Sequence, residues 1–131
     1  MADPRFPTTS EVIALNGRVL GHPGGLIDEG KLSGGLLRAQ QVAHYEGGDE
    51  ATIAAYLIAG VALAHAFADG NKRTAFATML LSLGQNGLDL VPDDEYLEVA
   101  KRIEAYIADR GSREETFAAL IVTLRRLIVP R

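Results

Sequence analysis

Apolar residues recur at helical spacing through most of the chain, and no segment shows a sustained strict alternation of apolar and polar positions. The first start signal is a capping box, in which Thr8 can bond a backbone N–H of the first turn and Glu11 can reach back to it. Val12, Ile13 and Leu15 then supply an apolar stripe. The pattern therefore predicts that the first helix begins at about residue 8.

The middle of the chain alternates between glycine-rich and apolar segments. Residues 17–35 are glycine-rich and predict mostly loop, and a short helix is expected over about residues 33–43. Residues 45–50 interrupt that helix, and Asp49 is placed to cap the apolar helix that follows. This third helix is predicted to run to about Phe67.

A fourth helix is predicted after a polar interruption. Asp69 and Gly70 break the apolar pattern, and the new helix should begin near Asn71. The Asn-Gly pair at residues 86–87 is a good C-terminal stop, because these residue types tolerate the left-handed backbone that ends many helices.

Two amphipathic helices complete the predicted set. Residues 92–95 start the fifth helix, Gly111 ends it, and a second capping box at residues 112–115 starts the sixth. Their apolar stripes consist of Leu97, Ala100, Ile103 and Ile107 in the fifth helix and Phe117, Leu120, Ile121, Leu124 and Ile128 in the sixth. The sequence predicts one all-α domain of about six helices over residues 1–131, with residues 1–7 as a flexible N-terminal segment.

Composition excludes several classes of protein. Thirteen basic and seventeen acidic residues leave a net charge of −4, so general electrostatic attraction to nucleic acid or to an anionic membrane is not expected. The absence of cysteine removes disulfides and thiolate chemistry and suits a cytoplasmic protein. Residues 51–68 carry no Asp, Glu, Lys or Arg, but nine of these 18 residues are Ala or Gly and both flanks are polar. This run indicates a buried helix rather than a membrane span.

Ionisable side chains are concentrated in residues 65–73, between two apolar helices. His65 lies at the predicted C-terminal end of the third helix, and a histidine there could take a proton from a hydroxyl at neutral pH. Asp69 offers a carboxylate, and magnesium is usually held by one or two carboxylates together with substrate phosphates. These two residues are the candidate general base and the candidate metal ligand.

The start of the fourth helix is a candidate phosphate site. Gly70, Asn71 and Lys72 open that helix, where unpaired backbone N–H groups and the helix dipole favour an anion. Lys72 and Arg73 add positive charge for phosphate oxygens. A base, an anion site, cations and a metal carboxylate together indicate phosphoryl or nucleotidyl transfer to a hydroxyl.

Residues 65–73 match every defined position of the motif H-x-F-x-[DE]-G-N-[GK]-R. The chain therefore resembles the Fic/Doc family, and Lys72 stands where the Doc (death-on-curing) toxin branch has lysine and ordinary Fic proteins have glycine. Weaker resemblance to Doc toxins extends over residues 24–30, 36–40 and 85–87, so that the similarity covers roughly residues 8 to 128.

The resemblance implies an all-helical Fic fold and a toxin that uses ATP and magnesium. Doc toxins transfer the terminal phosphate of ATP to a threonine hydroxyl of the translation elongation factor EF-Tu and so stop protein synthesis. Carried over, His65 activates the acceptor hydroxyl, Asp69 serves the magnesium–phosphate unit, and Gly70, Asn71 and Lys72 form the anion site. Arg73 contacts phosphate or braces the loop.

The resemblance also implies two contacts with other proteins. An antitoxin is expected to dock a helical segment into a groove on the toxin and to block access. Residues 45–50 lie where the family places a flap that aligns the target peptide, and a plain helix connection is the alternative for this segment.

Three positions depart from the family pattern. Phe76 stands where AMP-transferring Fic proteins usually have a second arginine, which agrees with the Doc branch. Leu63 and Ala77 stand where Doc has a basic residue and an asparagine that support activity. Two alternatives to a Doc-like kinase are therefore an AMP transferase of the same fold and a catalytically silent helical binding module.

Overall fold

Helices α1 to α6 account for most of the residues that the computed structural model describes, which are residues 4–91 and 94–131. In chain order the helices are α1 Thr9–Leu20, α2 Glu29–Gln41, α3 Glu50–Ala62, α4 Asn71–Gln85, α5 Asp94–Ala108 and α6 Glu114–Leu127. A π-helical turn, Val42–Glu46, follows α2, and two short strands, β1 Leu88–Leu90 and β2 Ile128–Pro130, pair antiparallel. The predicted all-α fold is confirmed, with this small sheet as an unpredicted addition.

Helix α3 is the centre of the bundle. It packs against α2, α4 and α6, and most of its side chains are buried on every side. Its low-polarity sequence is therefore the sequence of a core helix, as the Ala- and Gly-rich run predicts. Within the described residues, no helix is long and apolar enough to cross a membrane.

Two glycines allow α2 and α3 to approach closely. A Cβ atom added to Gly35 would lie 2.2 Å from the carbonyl oxygen of Gly60, and one added to Gly60 would lie 2.4 Å from the carbonyl oxygen of Gly35. Backbone atoms cannot give way as a flexible side chain can, so any larger residue would push the two helices apart. The glycines of the 17–35 segment thus serve helix packing as well as loops.

The predicted long loop over residues 17–35 is wrong at both ends. Helix α1 continues through Gly17 to Leu20 and ends at Gly21, which adopts the left-handed backbone at φ 76°. Helix α2 already begins at Glu29, because the Asp28 side chain caps it by accepting a hydrogen bond from the Lys31 backbone N–H. The destabilisation of a helix by one glycine is small, and tertiary packing outweighs it in α1 and α2.

Capping predictions succeed at two helices and fail at one. Thr8 and Glu11 form the predicted reciprocal capping box of α1, and Asp49 caps α3. At α6 the N-cap residue is Arg113, with a left-handed φ of 63° and no side-chain cap. The predicted box is absent because Ser112 lies one residue too early and accepts from the Glu114 N–H instead.

The second half of the chain differs from the prediction in smaller ways. Helix α4 has the predicted limits, whereas α5 ends at Ala108, three residues before Gly111. Ile128 belongs to β2, where it pairs with Leu90, rather than to the last helical stripe. The predicted start of α5 at residues 92–95 falls partly outside the described residues, since these omit 92 and 93.

Candidate active site

His65 lies in the connection between α3 and α4, not in α3 itself. The helix ends at Ala62, well before the predicted end at Phe67, and His65 takes a left-handed backbone at φ 50°. Such a conformation is uncommon and costs energy for a residue with a Cβ atom. Apolar residues continue past the end of the helix, so the sequence alone gives no signal of where α3 stops.

The connection is held in place by a short extended segment from the α1–α2 loop. Leu26 and Phe67 form an antiparallel bridge. The Ile27 N–H donates to the Ala66 carbonyl at 2.6 Å, and the Ala68 N–H donates to the Gly25 carbonyl at 2.8 Å. Residues 66 and 67 are buried beneath this pairing, while the His65 side chain is exposed. The backbone directly after His65 is therefore held by strand-like hydrogen bonds, although it lies between two helices.

The structure places the segment predicted as a flap far from His65. Residues 45–50 lie at the N-terminal end of α3, whereas His65 follows its C-terminal end. Thirteen helical residues separate these ends by about 20 Å. The segment that lies beside the loop of His65 is instead residues 24–28, and there the side chains of Leu26 and Ile27 are exposed.

The N-terminus of α4 is open. Gly70 precedes the helix with a left-handed φ of 78°, and no side chain caps it. The first helical bond runs from the Thr74 N–H to the Gly70 carbonyl, so the N–H groups of Asn71, Lys72 and Arg73 precede the helical ladder. A Cβ atom on Gly70 would also lie 2.9 Å from the Leu20 side chain. The left-handed backbone favours glycine there, and an added Cβ atom would also have to displace the end of the Leu20 side chain.

The polar side chains of the motif divide into two groups. Those of Asn71 and Arg73 stabilise the backbone: Asn71 donates to the Phe67 carbonyl at 2.8 Å, and Arg73 donates to the Val19 carbonyl at 2.6 Å. The Arg73 contact fits the bracing expectation, while the phosphate contact stays a prediction. Lys72 is exposed, and its ammonium nitrogen lies 3.6 Å from a carboxylate oxygen of Glu104 in α5.

His65 and Asp69 form the second group. Both side chains are exposed, and neither makes a hydrogen bond or an ion pair with the described part of the chain. Residues 4–91 and 94–131 contain no cluster of three His, Cys, Asp or Glu side chains that could hold a metal ion. Asp69 therefore fits a magnesium ion only as a single carboxylate ligand, with the phosphates of a nucleotide supplying further oxygens.

A groove with a volume of about 900 Å³ begins beside the N-terminus of α4. It is lined by Val19, Lys72, Arg73, Phe76, Ala77, Leu80, Tyr96, Leu97, Ala100, Ile103 and Glu104. The lining is mostly apolar, and its charged groups are at the end nearest the start of α4. Phe76 and Ala77, two of the departures from the family pattern, lie in this groove.

Sequence reasoning missed Asn16, a buried amide in α1 that contacts the motif loop. Its side chain donates to the Asp69 carbonyl and accepts a hydrogen bond from the Gly24 N–H. One signal was available, since Asn16 lies four residues after Val12, on the face of α1 that is otherwise apolar and buried. A polar residue on such a face requires partners, but the sequence does not identify them.

Comparison with known proteins agrees with this geometry. A sequence model of the Fic/DOC family matches residues 6–83, which include the whole motif. The chain is also similar to "Protein kinase doc" from Escherichia phage P1, with 30% identity over 127 residues that cover 94% of this chain and 95% of that protein. The motif, the helical fold and these two matches show that the chain belongs to the Fic/DOC family.

Proposed function

We propose that this protein is a Doc-like toxin kinase that transfers the terminal phosphate of ATP to a threonine hydroxyl of a translation factor, EF-Tu. One observation carries the proposal: a single short loop joins His65, which is exposed and has no side-chain partner among the described residues, to the uncapped N-terminus of α4. The similarity to a phage protein named as a protein kinase supports the same reaction class. Arrest of translation would follow, and a translation factor implies a cytoplasmic site of action.

Each group of the site has its own role in the proposed reaction. His65 accepts the proton of the acceptor hydroxyl as its oxygen forms a bond to the terminal phosphorus, and the bond from that phosphorus to ADP breaks. The N–H groups of Asn71, Lys72 and Arg73, with the α4 dipole, bind phosphate oxygens. A magnesium ion held by Asp69 and the nucleotide would supply positive charge for the phosphates.

The identity of residue 72 favours transfer of the terminal phosphate over transfer of AMP. Lys72 occupies the position at which AMP-transferring relatives have glycine, and Phe76 in the groove occupies the position of their second arginine. The Lys72 ammonium is exposed beside the anion site, so it can reach a phosphate once it leaves Glu104. An AMP transferase is the alternative with the same fold.

The acceptor and the antitoxin use different surfaces in this proposal. The acceptor segment lies along residues 24–28, which pair with the backbone that follows His65 and carry the exposed side chains of Leu26 and Ile27. The antitoxin places the apolar face of a helix in the 900 Å³ groove, where it also covers Lys72. Occupation of the groove would then block the anion site.

The experiment that tests the function uses purified EF-Tu and a bacterial translation extract, with magnesium and ATP labelled on the γ or the α phosphate. His65→Ala is compared with His44→Ala, since His44 is equally an exposed histidine but lies on the π-helical turn away from the site. Transfer of the γ label to EF-Tu that is lost in His65→Ala but kept in His44→Ala would support the kinase function. Label from the α phosphate would indicate AMP transfer instead.

Absence of label from both phosphates would leave two cases, namely that the true acceptor is missing from the assay or that the protein is a silent binding module. The silent binding module is favoured by Leu63 and Ala77, which stand where Doc has polar residues that support activity. Calorimetric titration with Mg·ATP adds a second readout. Tight binding of the nucleotide without turnover would favour the silent module, because such a module keeps the anion site but not the reaction.

The groove has its own test. Leu97 is 61% exposed and lines the groove, whereas Val122 is 62% exposed on α6 and does not line it. An antitoxin that suppresses labelling of EF-Tu should lose that effect against Leu97→Asp and keep it against Val122→Asp. Equal inhibition of both variants would contradict the assignment of the groove.

A further inference from the structure

Asn16 is a buried polar residue that connects three segments of the chain. It is 2% exposed and sits in α1, beside the loop before α2 and the start of α4. Its amide nitrogen donates to the Asp69 carbonyl and to the Thr74 hydroxyl oxygen, both at 3.1 Å. Its amide oxygen accepts from the Gly24 N–H at 2.8 Å. Both donor hydrogens of the amide are thus used.

These bonds form a closed ring that holds both backbone polar groups of one motif residue, Asp69. The Gly24 carbonyl accepts a hydrogen bond from the Asp69 N–H at 3.1 Å. The Asn16 amide bridges the other two groups, since it accepts from the Gly24 N–H and donates to the Asp69 carbonyl. The Asn16 side chain therefore acts like an inserted peptide unit that continues the pairing of residues 24–28 with residues 66–69. The N–H and the C=O of Asp69 are both fixed by this ring.

We propose that Asn16 is a positioning residue that fixes the peptide between Asp69 and Gly70 and so sets the direction of the free N–H groups at the start of α4. The carbonyl of Asp69 belongs to the same planar unit as the Gly70 N–H. Gly70 is the N-cap of α4, so a rotation of that plane would tilt the first turn. The further consequence, an effect on nucleotide affinity, rests on the function proposed above.

The surroundings of Asn16 fit this role closely. A Cβ atom on Gly24 would lie 2.2 Å from the Asn16 amide oxygen, so Gly24 must be glycine for the amide to reach its N–H. A carboxylate at position 16 would lack the donor for the Asp69 carbonyl. An aliphatic side chain would leave the buried Gly24 N–H and the partly buried Asp69 C=O without these bonds.

Hydrogen exchange followed by NMR tests the inference without any assumption about activity. In Asn16→Ala, we expect the amides of Gly24 and Asp69 to exchange about 10- to 100-fold faster relative to amides in the middle of α3. Thr123→Val is the matched control, because Thr123 is also buried and polar but lies on α6, which packs on α3 and α5. Thr123→Val should not accelerate the exchange of the Gly24 and Asp69 amides relative to the amides of α3.

A second variant reaches the same contact from the other side. Gly24→Ala places a methyl group against the Asn16 amide and should give the same selective pattern, even if Asn16→Ala does not fold. Gly17→Ala, next to Asn16 in the chain but with open space around its Cβ position, should not. Uniform acceleration across α3 and the motif loop in both test variants would overturn the inference, since it would mean only a loss of global stability.

Nucleotide affinity is the second readout. Calorimetric titration with Mg·ATP, well below the melting temperature, should show binding about tenfold weaker in Gly24→Ala and unchanged in Thr123→Val. Unchanged affinity in a variant with selective exchange would overturn the proposed link to the anion site. Absence of ATP binding by the unaltered protein would count against the proposed function, while the exchange pattern would still decide the role of Asn16.

Discussion

Helices α3 and α4 pack against each other in the core, yet their N-termini are built in opposite ways. Asp49 caps α3 by accepting from the Thr52 N–H at 2.9 Å, and the same carboxylate pairs with Arg125 of α6 at 2.7 Å. Helix α4 begins after Gly70 with no side-chain cap. One N-terminus is occupied by the protein's own carboxylate, and the other is left open to solvent.

The comparison separates the two uses of a helix N-terminus. Unpaired N–H groups and the dipole attract any anion, and a side-chain carboxylate is the nearest one available. At α3 that attraction contributes to stability, because Asp49 also joins α3 to α6 through Arg125. At α4 the protein gives up this stabilisation, which is the arrangement a site needs if it is to bind phosphate from solution.

The largest expected effect comes from placing a carboxylate at the open N-terminus. Gly70→Asp should weaken Mg·ATP binding by about a hundredfold or more. Two like charges about 4 Å apart near a protein surface repel by about 4 kcal/mol, and the affinity falls tenfold for each 1.4 kcal/mol. The measurement is calorimetric titration with Mg·ATP, together with the transfer of γ label.

The control for this variant is Gly87→Asp. Gly87 has a similar left-handed φ of 72°, but open space surrounds its Cβ position and it lies at the other end of α4. Both variants carry the cost of a left-handed aspartate, and Gly70→Asn, which meets the Leu20 side chain as the aspartate does but adds no charge, isolates the effect of the charge. Equal loss of ATP binding in the two aspartate variants would contradict the assignment of the α4 N-terminus as the anion site.

At the closed N-terminus the expected effect is on stability. Asp49→Ala should lower the free energy of unfolding by about 1–3 kcal/mol, because it removes a cap together with a bidentate ion pair. Asp28→Ala is the matched comparison, since Asp28 caps α2 in the same way and the described residues show no ion pair for it. It should cost about 1 kcal/mol. Urea denaturation measures both, and transfer activity should remain in Asp49→Ala.

The pH dependence of stability should show the same contact. The hydrogen bonds from Arg125 hold the pKa of the Asp49 carboxyl well below its usual range. The stabilisation is therefore fully present above the unfolded pKa of about 3.9 and is lost as the pH falls below it toward the folded value. The difference in unfolding free energy between the unaltered protein and Asp49→Asn should shrink between pH 5 and about pH 2. A difference that grows on acidification would contradict the pairing.

Local signals explain what the sequence predicted correctly. The capping box of Thr8 and Glu11, the Asp49 cap and the limits of α4 each depend on residues within one or two turns of each other. The buried character of α3 follows from its composition. The family motif in turn located the candidate site, because its residues are contiguous in the chain.

Long-range contacts explain what the sequence did not predict. The end of α3 at Ala62 and the left-handed backbone of His65 depend on pairing with a segment about 40 residues earlier in the chain. The nearness of residues 24–28 to the loop of His65 has the same long-range origin. Asn16 could be recognised as a polar residue on an apolar face, but its partners at Gly24 and Asp69 come together only in the fold.

The smallest expected effect concerns the ammonium group beside the open N-terminus. Glu104 holds Lys72 at 3.6 Å in an exposed ion pair, and Glu46 holds Arg38 at 3.8 Å in a similarly exposed pair. Such pairs contribute about 0–1 kcal/mol, so neither Glu104→Gln nor Glu46→Gln should change stability measurably.

The two variants should differ in nucleotide binding instead. Glu104→Gln releases Lys72 and removes a negative charge near the phosphates, so Mg·ATP affinity should rise by about two- to fivefold, more at low salt than at high salt. Glu46→Gln should leave the affinity unchanged, because its pair lies between α2 and the π-helical turn. If Glu104→Gln instead weakens ATP binding, the carboxylate orients Lys72 toward the anion site rather than competing with phosphate for it. The cation at the open N-terminus would then depend on α5 for its placement, while the cation at the closed one, Arg125, is itself carried by a neighbouring helix, α6.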